Sequence, residues 1–158
     1  MFHPKAFAAL FFAPFCLGLC LGLAGPAHAQ TRHFQTSQSH FENIAAQAAA
    51  LSGQVDIPSQ KNICNYYAAT AVTYAVRAHA LAQLADIAAK AQNSGDKSLV
   101  LAKMAETEAY VTRPIENDLK LLENLSAASP NSRVRELGLH LANEVRVFAH
   151  NAQSVSAQ

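Results

Sequence analysis

Residues 59–95 read SQKNICNYYAATAVTYAVRAHALAQLADIAAKAQNSG, and this stretch decides the fold. It contains no proline, and its only glycine is the last residue. A helix from an N-cap at Ser59 to about Asn93, stopped by Gly95, is about 50 Å long at the usual rise per residue. Its seam can be written Ile63, Tyr67, Thr70, Tyr74, Arg77, Leu81, Leu84 and Ala88, spaced by threes and fours. So many alanines flank this seam that the inward face is defined only to within one position. Asp86 and Lys90 form an i,i+4 pair on the expected outer side.

The same periodicity continues toward the C-terminus. A second long helix is expected from Asp96 or Ser98 to Ala128, with Leu101, Met104, Glu108, Val111, Ile115, Leu119, Leu122 and Leu125 inward. Pro114 interrupts it, but the apolar register carries across, which favours a kink over a break. Ser129-Pro130 offers an N-cap followed by proline at the first helical position. A third long helix then takes 130–152 with Val134, Leu137, Leu141, Val145 and Phe148 inward, leaving 153–158 as a frayed tail. Toward the N-terminus, Ser39-His40-Phe41-Glu42 reads as a capping box. It opens a short helix over 40–52 with Phe41, Ile44, Ala48 and Leu51 on one stripe. Residues 30–38 are polar and read as a flexible arm. Short connections make the long helices antiparallel neighbours. The expected fold is all-α: an up-and-down antiparallel bundle over 39–152, three long helices and one short N-terminal one.

Residues 1–29 read differently. Lys5 supplies a cation, Ala6–Leu23 is an apolar run rich in Phe, Leu and Ala, and Gly25-Pro26 ends it. Ala27-His28-Ala29 then places small residues at −3 and −1 of a cleavage point before Gln30. This reads as a bacterial export signal, with cleavage expected after Ala29 and the chain expected in the periplasm or outside the cell. An uncleaved anchor is the competing reading, but the run is barely long enough to span and the cleavage pattern argues against it. Lipidation at Cys20 is disfavoured by the bulky Leu19 before it. Residues 30–158 then carry 11 Lys/Arg against 11 Asp/Glu, with 25 Ala, three Gly and three Pro. A balanced charge excludes nucleic-acid binding through a net basic field. Signal cleavage leaves no stable membrane span. Cys64 becomes the only cysteine, so no internal disulfide can form in the oxidising compartment. It is either a buried core thiol or half of an intermolecular disulfide.

No motif with CxxC, CxxCH, HExxH, GxxxxGK[ST] or ExxH spacing occurs. Glu136, His140 and Glu144 line one strip of the last helix at intervals of four, a spacing compatible with metal and common on surfaces. Antiparallel register places Pro114 opposite residue 75 and residue 145. One layer should therefore collect Tyr74, Arg77 and His79 with Tyr110, Arg113 and Glu144. Arg77 and Glu108, the two charges written on apolar stripes, are expected as a partly buried ion pair fixing register. The functional reading of the same layer is a polar pocket for a small anionic ligand or a partner's side chain, built from Tyr74, Arg77, Tyr110, Arg113 and Glu144.

The function expected from all this is that of a non-catalytic interaction protein of inhibitor, immunity, chaperone or envelope-adaptor type. Its partner would be another protein or a second copy of itself, with no cofactor. The alternative is a metal- or haem-binding bundle using His79, His140, Glu144 and Met104. An enzyme comes third, because no nucleophile with a nearby base can be named.

Overall fold

The computed structural model describes residues 26–156, which form helices α1 (Pro26–Ser52), α2 (Pro58–Lys90), α3 (Ser94–Thr112), α4 (Ile115–Ala128) and α5 (Ser132–Ser156). The described chain is all-helical. No helix among the described residues is long and apolar enough to cross a membrane. The apolar run of the expected export signal lies outside the described residues.

α1 corrects the expected arm and short helix. It is 27 residues long and runs straight through 30–38. Its buried line is Thr31, Phe34, Ser37, Phe41, Ile44, Ala48 and Leu51, an unbroken series of three- and four-residue steps. Two polar members, Thr31 and Ser37, hide the first half of this seam from a reading by hydrophobicity. Ser39 lies mid-helix and caps nothing; Glu42 instead accepts a hydrogen bond from Gln38 Nε2 at 2.8 Å, one turn earlier.

α2 begins two residues earlier than expected, with Pro58 in its first turn and Ile57, not Ser59, as an N-cap without a side-chain bond. Its buried seam is Cys64, Tyr67, Ala71, Tyr74, Ala78, Leu81, Ala85 and Ala88. Ile63, Thr70, Arg77 and Leu84 are only half-buried, so the true face is turned by about one position from the expected one. The alanines let α2 be central: it packs chiefly on α1, and also on α3 and α5. Ser52–Asn65, Phe41–Tyr74 and Gln38–His79 contacts run in opposite directions along α1 and α2.

The expected single helix across Pro114 is two helices. Proline has no N–H for the ladder, and the hydrogen-bonded helix lapses over Arg113 and Pro114. Both residues keep right-handed helical dihedrals (φ −49°, ψ −45° and φ −82°, ψ −8°), so the chain bends without reversing. Ladder bonding resumes with Asp118 N–H donating to the Pro114 carbonyl at 2.9 Å. α3 starts at Ser94, earlier than expected, capped by Asn93, whose Oδ1 accepts from Asp96 N–H at 2.7 Å. Leu101, expected inward, is exposed, leaving Met104, Glu108 and Val111 as the buried face of α3.

The α5 cap is also displaced. Asn131 Oδ1 accepts from the N–H groups of Arg133 and Val134. Ser129 closes α4 instead, and its hydroxyl donates to Gln60 of α2. All five residues expected inward on α5 are buried, and the helix continues to Ser156. Where the helices meet, Phe34, Phe41, Tyr74 and Phe148 form one aromatic cluster with ring centroids 5.4–6.3 Å apart, mostly edge-on.

Candidate functional site

The polar layer beside Pro114 exists, with a membership different from the expected one. The Tyr74 hydroxyl donates to Asp118 Oδ2 at 2.7 Å. Arg77 lies one turn on from Tyr74 along α2; its guanidinium carbon sits 4.7 Å over the Tyr74 ring and its Nη1 is 3.8 Å from Asp118 Oδ2. Nη1 is buried and, among the described residues, has no hydrogen-bond partner. A groove of about 320 Å³ opens here, lined by Tyr66, Thr70, Thr73 and Pro114 as well as these three residues. Burial, and then the hydrogen bond and charge of Asp118, hold the Tyr74 hydroxyl well above the ordinary tyrosine range, so it stays a donor.

Asp118 is not marked by a register extended along one continuous helix. That register sets Tyr74 opposite residue 115, whereas its hydroxyl meets Asp118. Arg77 accordingly takes Asp118 as its carboxylate, in place of the expected Glu108, which is buried on α3. The only sequence signal for Asp118 is its position three residues after Ile115, on the edge of the inward stripe.

Tyr110 and Arg113 do not join this layer. Tyr110 is 78% exposed and Arg113 is exposed too. Glu108 and Val111 point inward on α3, and helical geometry turns residues 110 and 113 away from that face. Matching heights along two helices do not guarantee matching faces.

Glu144 belongs to another seam. It joins α5 to α1, with His40 Nδ1 at 3.0 Å from Oε2 and His140 Nε2 at 3.8 Å from Oε1. His79 is elsewhere, hydrogen-bonded to Gln38 at 3.1 Å. The proposed metal set of His79, His140 and Glu144 is therefore not assembled. Among the described residues no three His, Cys, Asp or Glu side chains are grouped to hold a metal. Met104, the expected haem-ligand candidate, is buried in the core. Glu136 and His140 instead line a larger open groove of about 470 Å³ between α1 and α5, with Gln47, Gln54 and Arg133.

Cys64 is a free, fully buried thiol. Burial pushes its pKa up, a backbone hydrogen bond opposing. Of the two expected readings, this placement fits the buried core thiol, since the sulfur lies inside the helical core. Comparison with protein-family models, with curated proteins and with solved structures finds no match to this chain.

Proposed function

We propose that this chain is an exported, periplasmic or secreted, non-catalytic protein that folds as an up-and-down helical bundle and acts by binding another protein. The groove between α2 and α4 is its contact site for a partner's side chain. One observation carries this reading: a guanidinium at a groove wall, with a buried donor that no acceptor among the described residues satisfies. Buried polar groups are nearly always partnered, and an exception at an open groove supports an interaction role. The antiparallel contact series along α1–α2 and the Tyr67–Ser126 and Tyr74–Asp118 pairs between α2 and α4 support the bundle. Cleavage after Ala29 would keep the buried Thr31 and Phe34 of α1 in the mature chain.

The test is comparative capture from an exported-protein fraction, with immobilised wild-type protein beginning at Gln30 against its Arg77→Met form. A partner retained by the wild type and lost with Arg77→Met supports the reading. Equal capture by both overturns the groove as the contact site.

A further inference from the structure

We infer that the group received by the α2–α4 groove is an uncharged carboxamide, the side chain of a glutamine or asparagine on the partner protein. This rests on the groove being the contact site. The groove holds one full positive and one full negative charge, Arg77 and Asp118. Their closest approach of 3.8 Å is an ion-pair distance, too long for a direct hydrogen bond. Donor and acceptor therefore stand side by side, neutral in sum and not consumed by each other.

The acceptor side has capacity to spare. Asp118 receives one hydrogen bond from Tyr74 at Oδ2, and an ionised carboxylate can accept several. The donor side is also unspent. Nη1 is closed off from water, but the Arg77 side chain as a whole is 21% exposed and presents an edge to the groove. The guanidinium is held over the Tyr74 ring and beside Asp118, which fixes where an incoming acceptor must approach.

Charge then selects the ligand. A carboxylate gains from Arg77 and is repelled by Asp118; an ammonium meets the reverse. Either must also shed its hydration on entering. An amide offers an oxygen to the guanidinium and an N–H to the carboxylate, with less hydration to lose. The Tyr66 ring and Pro114 give apolar walls for its methylene stem.

The experiment is a ¹⁵N-resolved NMR titration of the protein beginning at Gln30 with three probes: N-acetyl-glutamine methylamide, and the glutamate and lysine counterparts. Expected are saturable shifts at Thr70, Thr73 and Asp118 with the glutamine probe. The two charged probes should bind at least fivefold more weakly. Arg77→Met should abolish the glutamine response with its circular dichroism unchanged; the ranking of probes on the wild type decides even if that variant unfolds. Equal or tighter binding of a charged probe in the groove overturns the amide assignment and leaves the contact site standing. The absence of groove shifts with every probe also overturns the assignment. The partner-capture comparison with Arg77→Met separately decides the contact site.

Discussion

The Tyr67 hydroxyl of α2 occupies the space into which a side chain on Gly138 of α5 would project. A Cβ there would overlap that hydroxyl and the Ser126 Oγ of α4, which themselves lie 3.1 Å apart in a hydrogen bond. Gly138 is thus the point at which α5 approaches α2 and α4, and its lack of a side chain makes room for a buried polar pair.

Gly138→Ala should therefore destabilise the fold by about 1–3 kcal/mol, the range for overpacking a core. The usual gain in helix propensity from replacing glycine, about 1 kcal/mol, opposes this only in part. Urea denaturation of the two forms measures it. A variant as stable as the wild type would show that the three helices separate at little cost.

Phe34 tests whether α1 truly begins before residue 39. It is 1% exposed and stacks edge-on against Phe148 at 6.3 Å. Phe34→Ala should cost about 3–5 kcal/mol, the range for deleting a buried phenylalanine. Were 30–38 a loose arm, the cost in thermal or urea unfolding would be close to zero.

Alkaline pH should unfold the protein through its buried tyrosines. Burial raises the pKa of both Tyr67 and Tyr74 above the ordinary value of 10.0, with Asp118 adding to the shift at Tyr74. A group whose folded pKa is raised holds its proton more tightly in the folded state. Its contribution is complete below pH 10 and is lost as pH climbs beyond that value. Tyrosinate absorbance at 295 nm should show ionisation coinciding with loss of helical circular dichroism. Tyr74→Phe should move that transition to higher pH, though it lowers stability near neutrality by removing the bond to Asp118, by about 1–2 kcal/mol.

Cys64 should be unreactive toward Ellman's reagent in the native protein and react fully once guanidinium unfolds it. Burial and a raised thiol pKa both suppress the thiolate, which is the reactive form. Rapid native labelling, or a dimer dissolved by reductant, would contradict the buried placement.

Local spacing alone revealed a good part of this molecule. The all-helical class, the inward faces of α5 and of α3–α4 near Met104, Val111, Ile115 and Leu122, and the interruption at Pro114 were legible because each depends on residues a few positions apart. Tyr74 and Arg77 were likewise placed together by helical spacing. Three things were not legible, and each is a matter of distant partners. The seam of α1 passes through Thr31 and Ser37, whose burial is decided by what packs on them. The face of α2 is chosen among nearly equivalent alanines by the helices around it. Asp118, three residues on from the position level with Tyr74, is reached by the Tyr74 hydroxyl and the Arg77 guanidinium across the groove between α2 and α4. Sequence periodicity determines that a helix forms and roughly where it is apolar; its rotation and its slide along a neighbour are set by side chains meeting across the core.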